Sequence, residues 1–151
     1  ALPAGTAVAE IADYNLAAAP FSAHSVPSVA AVDLSLRTSA GDVLQLSLAG
    51  ADGSSIKVVL DASSRRIDVN RNNAGDFHES FPSRQTVTAS HASAMTELRL
   101  VLDAGSVEMF FGRGEIVLTN QVVMQQPWSL TLRAVDGTPH IARLSIIDLT
   151  P

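Results

Sequence analysis

The chain lacks cysteine altogether, and its ten basic residues form no cluster. Without thiols it can form neither a disulfide nor a thiolate metal site, and it has no cysteine nucleophile. Fifteen acidic residues give it a net charge of -5. Nucleic acids and anionic membrane surfaces bind concentrated positive charge, so we expect neither as a partner.

The chain also lacks any apolar run near the roughly 20 residues that a membrane-spanning helix requires. Its start, Ala1-Leu2-Pro3, lacks the basic residues that open a signal peptide. A length of 151 residues with 46% hydrophobic composition is typical of one globular domain with a sizeable core. We therefore expect a single domain over residues 1–151, either a mature protein or an excised unit.

From Val32 onward, apolar residues recur at every second position, which places them on one face of extended segments. A helix would instead need spacings of three and four. Turn signals such as Gly41-Asp42, Asp52-Gly53 and 72–75 separate the segments. The alternating sets are Val32, Leu34 and Leu36; Leu44, Leu46 and Leu48; Leu98, Leu100 and Leu102; Trp128, Leu130 and Leu132; and Leu144 and Ile146.

About ten short strands at this spacing predict an all-β fold, a two-sheet antiparallel β-sandwich of the jelly-roll or lectin type. Prolines at positions 3, 20 and 27 exclude one long helix in the alanine-rich opening. We expect a strand there from about Thr6 to Asp13.

A hairpin pattern runs from Leu98 to Phe111, with a turn at Asp103-Ala104-Gly105-Ser106 and Glu108 just inside the second strand. It resembles the Asp-Arg-Ser-Ser-Val-Glu-Val-Phe hairpin in the C-terminal β-sandwich of glycoside hydrolase family 32. The same fold occurs as a detached sugar-binding unit, carbohydrate-binding module family 66. Residues 67–81 and 114–119 are similar, in order and spacing, to two further segments of that family.

The resemblance covers only the accessory sandwich. The catalytic motifs of the family's N-terminal propeller, such as Trp-x-Asn-Asp-Pro-Asn-Gly, Arg-Asp-Pro and Glu-Cys, do not occur in this chain. It therefore implies a noncatalytic module that recognises the terminal fructosyl units of levan or inulin, attached to a fructan-active enzyme. It also implies a secreted protein that needs no cofactor or metal, with fructan or fructo-oligosaccharide and a catalytic propeller as partners.

Four residues are the predicted fructan-binding site: Arg71, Asp76, Asp103 and Glu108. A carboxylate can accept hydrogen bonds from two neighbouring hydroxyls of a fructosyl unit, and a guanidinium can donate to their oxygens. The alternative is structural: Asp68 and Asp103 would close turns through backbone N–H groups, and Glu108 would pair with an arginine on a neighbouring strand.

Val69 and Ala104 stand where the family usually has arginine, so two possible donors to sugar hydroxyls are missing. The alternative function is therefore a structural C-terminal sandwich that supports the propeller without binding sugar. Catalysis by Asp103 and Glu108 is a third hypothesis. The resemblance to the family hairpin already explains why these two carboxylates occur near each other, so a catalytic role is not needed to account for them.

Other polar and aromatic residues have simpler interpretations. His78 is not expected to bind a metal, because the other histidines show no ligand spacing. Trp128 lies in phase with core leucines, which favours a core position over a sugar-stacking one. For Tyr14, a place at the edge of a sugar pocket and a capping role are equally consistent with the sequence.

Overall fold

The computed structural model describes residues 6–51, 54–73, 84–103, 106–112, 114–121 and 127–150. Over these residues it has no α-helix, and hence none long and apolar enough to span a membrane. A 3-10 turn spans Ala92–Met95. The strands are β1 (Thr6–Asn15), β2 (Phe21–Val26), β3 (Ala30–Arg37), β4 (Val43–Ala49), β5 (Ser55–Asp61), β6 (Arg66–Asn73), β7 (Arg84–Thr88), β8 (Glu97–Asp103), β9 (Ser106–Phe111), β10 (Ile116–Gln121), β11 (Trp128–Asp136) and β12 (His140–Asp148).

These strands form two six-stranded antiparallel sheets, so the predicted all-β, two-sheet fold is confirmed. Sheet A has the spatial order β1-β12-β3-β8-β9-β10, and sheet B has the order β2-β11-β4-β5-β6-β7. The sequence predicted about ten strands and the structure has twelve. Edge strands such as β2 and β7 pair on one side only and bury few side chains, which explains their weak alternation.

The alternation predicted from the sequence places the core between the two sheets. Leu34 is buried, whereas its neighbours Asp33 and Ser35 lie on the outer face of sheet A. Trp128 is fully buried, as its phase with Leu130 predicted. Each large apolar side chain taken out of water contributes about 1.5–3 kcal/mol. The largest fully buried side chains are Trp128, Phe111, Leu44, Leu46, Leu48, Ile56, Ile67, Leu100, Leu102, Met109, Leu130 and Leu132.

One end of the sandwich, here called the hairpin end, carries the β8–β9 turn. A short connection joins Val26 at the end of β2 to Ala30 at the start of β3, and Ala30 pairs with Leu102 beside the turn. In sheet B, the end of β2 pairs with the start of β11, which pairs with the end of β4. The end of β4 pairs with the start of β5, and the start of β5 pairs with Asn73, the last residue of β6. The end of β6 and the β8–β9 turn therefore lie at one end of the fold.

Two local predictions need adjustment. The predicted N-terminal strand is confirmed, but it continues to Asn15 because Asn15 still pairs with His140 of β12. Of the turn predicted at 72–75, residues 72 and 73 belong to β6, where Asn73 pairs with Ser55, and residues 74 and 75 lie outside the described residues. Asp52-Gly53, another predicted turn, lies outside the described residues.

Candidate functional site

The β8–β9 hairpin holds two of the four predicted site residues. Asp103 ends β8 opposite Ser106, the first residue of β9. Alternation directs Leu102 and Val107 into the core, so Asp103 and Glu108 lie on the outer face of sheet A, and both are exposed. Two predicted carboxylates are thus accessible to a ligand.

The other two predicted site residues belong to the segment that begins in β6. Arg71 lies in the last part of β6, at the hairpin end, and its side chain is outside the described part of the structure. Asp76 and His78 lie outside the described residues. The topology therefore brings the backbone of Arg71 and the Asp103 hairpin to the same end of the sandwich. The assignment of a sugar site to the four residues stays a prediction.

A groove of about 640 Å³ opens on the outer face of sheet A next to this hairpin. It lies over β3, β8 and β9, and its lining includes Asp33, Glu97, Arg99, Glu108 and Phe110. Of these residues, the sequence predicted only Glu108 as part of a site. The missed residues all occupy outward positions of alternating strands, and that alternation is the signal that could have identified them.

At the centre of the groove, Arg99 and Asp33 form a two-point ion pair between β8 and β3. Arg99 Nε donates to Asp33 Oδ1 at 2.6 Å, and Arg99 Nη2 donates to Asp33 Oδ2 at 2.9 Å. Their side chains are 46% and 35% exposed, so the pair contributes only about 0.2–1 kcal/mol to folding. Its stronger effect is geometric, because two parallel hydrogen bonds fix the guanidinium plane.

The pKa of Arg99 is raised above its ordinary value. The side-chain hydrogen bond to Asp33 is the main cause and the attraction between the charges adds to it, while partial burial acts in the opposite direction. The pairing thus further favours the charged form of a guanidinium that is already charged at neutral pH. Its remaining N–H groups can donate to a ligand oxygen in the groove.

Glu108 and Phe110 follow each other on the outer face of β9. Glu108 lies opposite Val101 of β8 and Thr119 of β10. Among the described residues it has no hydrogen-bond or ion-pair partner, so the pairing with a neighbouring arginine does not occur there. Phe110 is half-buried and lies opposite Arg99. The groove thus combines a carboxylate acceptor, a guanidinium donor and an aromatic ring.

The structural roles considered for other residues have mixed outcomes. Asp68 lies within β6, accepts a hydrogen bond from Thr86 Oγ1 at 2.5 Å, and lies 3.3 Å from Arg66 Nε. The hydroxyl of Tyr14 donates to the carbonyl of Pro20 at 2.8 Å, and its ring packs on Phe21. These contacts support the capping role for Tyr14.

No set of three or more His, Asp or Glu side chains in the described ranges is arranged to hold a metal ion. Among the described residues that line the groove, Arg99 is the one cation, and it is engaged with Asp33 while Glu97 and Glu108 add negative charge. A phosphate or a polyanion is therefore a poor fit. A neutral ligand with many hydroxyls fits these groups best, since hydroxyls both donate and accept hydrogen bonds.

Comparison with known proteins agrees with this fold. The model of the family "Glycosyl hydrolases family 32 C terminal" matches residues 9–148, and no curated protein sequence matches the chain. An exo-inulinase from Aspergillus awamori aligns with a TM-score of 0.76 and 23% identity, over 95% of this chain and 29% of that one. A β-fructofuranosidase from Schwanniomyces occidentalis aligns with a TM-score of 0.73 and 13% identity, over 95% and 34%.

A fructan 1-exohydrolase IIa from Cichorium intybus aligns with a TM-score of 0.62 and 14% identity, over 93% of this chain and 35% of that one. Identities this low establish a shared fold only. The chain spans about a third of the length of these enzymes. The family model covers nearly all of the chain and describes the noncatalytic part of such enzymes. The chain therefore belongs to the family of C-terminal β-sandwich domains of family 32 glycosyl hydrolases.

Proposed function

We propose that this chain is a noncatalytic module that binds the terminal fructosyl units of levan or inulin. One observation carries the proposal: the exposed carboxylates Asp103 and Glu108 lie on the outer face of sheet A, and Glu108 lines a groove that also contains Arg99 and Phe110. In this proposal Arg71 and Asp76 complete the site from the segment that begins at the end of β6.

The groups in this region suit a neutral sugar. Glu108 can accept hydrogen bonds from two neighbouring hydroxyls, and the fixed guanidinium of Arg99 can donate to a ring or hydroxyl oxygen. Phe110 offers an apolar surface to the C–H groups of the sugar ring. Few atoms are buried and water competes for each hydroxyl, so we expect dissociation constants between micromolar and millimolar.

The parent protein, in this proposal, is a secreted fructan-active hydrolase or fructosyltransferase. The similar solved enzymes are named as an exo-inulinase, a β-fructofuranosidase and a fructan 1-exohydrolase, and each is about three times as long as this chain. A tethered module that holds a fructan end raises the concentration of substrate near the catalytic domain. The contribution of the module is therefore local enrichment of substrate and not bond cleavage.

A second candidate function, structural support of the catalytic domain, rests on a different observation. Val117 is 50% exposed on β10, next to half-buried Phe110 on β9, and Val101 lines the adjacent groove. A contiguous apolar patch on a soluble domain often marks a protein contact. In this alternative, sheet A would pack against the propeller and bind no sugar.

Isothermal titration calorimetry with levan, inulin and short fructo-oligosaccharides tests the proposal. We expect binding heat with each ligand that has an accessible nonreducing end. Glu108→Gln and Asp103→Asn should each weaken binding by about 1–3 kcal/mol, the usual effect of removing a charged hydrogen-bond partner.

Asp13→Asn is a matched control, because Asp13 is an exposed carboxylate on sheet A that pairs with Arg37 at the opposite end of the sandwich. It should leave the affinity unchanged. No heat with any fructan at millimolar concentration would reject sugar binding and favour the supporting role. Release of fructose by the purified domain, abolished by Glu108→Gln, would show that the module is catalytic after all.

A further inference from the structure

A row of side chains crosses the outer face of sheet A and extends well beyond the predicted site. It contains Glu10, Ser145, Asp33, Arg99 and Phe110, one residue from each of β1, β12, β3, β8 and β9, and each lies opposite the next in the strand register. Most of the row therefore consists of hydrogen-bonding groups, with an aromatic ring at one end.

Two adjacent grooves lie over this row. The 640 Å³ groove beside the hairpin and a second groove of about 440 Å³ over β1, β12 and β3 share Asp33 and Ser35 in their linings. Four strand-to-strand steps separate β9 from β1, which is about 19 Å at the usual strand spacing. The combined groove is thus much longer than one fructosyl unit.

The groove also begins where the predicted site lies. Glu108 is two residues from Ser106 at the β8–β9 turn, about 7 Å along the strand. From Glu108 the groove leads away from the hairpin, across Asp33 and towards Glu10. A polymer whose end is held at the hairpin can therefore continue along this face without leaving the protein surface.

The charges in the groove favour a neutral polymer over an anionic one. Arg99 pairs with Asp33, and Arg143 Nη2 lies 4.0 Å from Glu10 Oε1, so both cations face a carboxylate. Among the described lining residues, the remaining carboxylates leave a net negative charge, which repels polyanions. Carboxylate oxygens and guanidinium N–H groups together match the hydroxyls and ether oxygens of an uncharged sugar chain.

We infer that the part of this row from Asp33 to Glu10 binds the internal fructosyl units of a fructan chain whose terminal unit is held at the hairpin end. The inference rests on the proposed function. Each unit beyond the terminal one adds contacts with Asp33 and then with the Arg143–Glu10 pair. The affinity for fructan therefore increases with chain length until the groove is filled. The size of that increase depends on the Arg143–Glu10 pair, which lies farthest from the hairpin.

Titration with fructose and with fructo-oligosaccharides of three and six units tests the inference. We expect the six-unit ligand to bind about tenfold more tightly than the three-unit ligand, which corresponds to 1.4 kcal/mol. The double variant Glu10→Gln/Arg143→Gln should abolish this difference and leave the affinity for fructose unchanged. Glu108→Gln, by contrast, should weaken the binding of every ligand.

The matched control is Asp13→Asn/Arg37→Gln, because it removes another exposed acid–arginine pair of sheet A that lies outside both grooves. It should retain the gain with length. Equal affinity for three and six units, or a gain that survives Glu10→Gln/Arg143→Gln, would overturn the inference while fructose binding still supports the proposed function. Absence of binding by all ligands, fructose included, would overturn the proposed function itself.

Discussion

Asp42 and Gly137 lie so close together that the second residue has no room for a side chain. A β-carbon on Gly137 would overlap Asp42 Oδ1 and lie 2.9 Å from Asp42 Cα. Gly137 also has a φ of 74°, in the left-handed region that favours glycine. Asp42 precedes β4 and Gly137 lies between β11 and β12, so this contact fixes two connections at the end of the sandwich opposite the hairpin.

The first prediction concerns Gly137→Ala. The left-handed backbone costs about 1–2 kcal/mol for a residue with a β-carbon, and the overlap with Asp42 adds about 1–3 kcal/mol. Gly114→Ala is the control, because Gly114 has a φ of 85° but open space around it, so only the backbone cost applies. Urea unfolding should find Gly137→Ala the less stable variant. Equal losses in the two variants would contradict the close contact.

The second prediction concerns the Asp42 carboxylate, which is buried. It accepts the N–H of Ser39 at 2.8 Å through Oδ2 and the N–H of Thr138 at 2.9 Å through Oδ1. An asparagine there can accept only one of these bonds through its single side-chain oxygen, so the other N–H of this partly buried pair loses its partner. We expect Asp42→Asn to lower the free energy of unfolding by about 1–3 kcal/mol.

The control for Asp42→Asn is Asp61→Asn. Asp61 also accepts two backbone N–H groups, from Ser63 and Ser64, but within its own exposed turn. Both bonds end on Oδ1, which asparagine retains, and water reaches this turn, so we expect a loss below about 1 kcal/mol. If the two variants are equally stable in urea, the two-oxygen, partly buried bonds of Asp42 contribute nothing special to the fold.

Most of the fold could be predicted from the sequence, because apolar and polar residues alternate along most of the core strands. Leu44, Leu46 and Leu48 of β4 all face the core, and the outward residues between them are polar. Such a pattern fixes both the extended conformation and the buried face. The end of β6 could not be predicted, since Asn73 has turn propensity but pairs with Ser55 on β5. Partner strands override local propensity at such positions.

The candidate site was less predictable because its contacts join distant parts of the chain. Asp33 and Arg99 are 66 residues apart in sequence and meet only through the pairing of β3 with β8. Alternation indicates that both face outward, but not which strands are neighbours. The family resemblance identified Glu108 on its own hairpin, where partners are close in sequence. The groove around it depends on sheet order, which no local pattern specifies.

The third prediction uses Trp128, the only tryptophan of the chain. It is fully buried in the core between the sheets, so we expect blue-shifted fluorescence that a collisional quencher such as acrylamide barely reduces. Unfolding in urea should shift the emission to the red and expose it to the quencher. Fructans should leave the emission unchanged, because the groove lies on the outer face of sheet A. A change on sugar binding would contradict this separation.

The fourth prediction concerns Asp148 at the end of β12. A hydrogen bond from the Thr150 side chain, aided by the Thr150 backbone N–H at 2.8 Å, lowers the pKa of Asp148 below its ordinary value of 3.8. A carboxyl group whose pKa is lower in the folded than in the unfolded chain stabilises the folded state at pH values above its unfolded pKa. This contribution disappears as the pH falls through the folded pKa. Carboxyl NMR titration should therefore find the Asp148 pKa below 3.8.

Thr150→Val removes the hydroxyl and keeps the backbone N–H, so it should raise the Asp148 pKa towards 3.8 without restoring it fully. Thr150→Ser keeps the hydroxyl and should leave the pKa low. The sign of the linkage also predicts that Thr150→Val lowers stability at neutral pH and has less effect in strong acid, where Asp148 is protonated in both folded and unfolded chains. An Asp148 pKa that is the same in the Val and Ser variants would show that the backbone N–H alone holds the carboxylate.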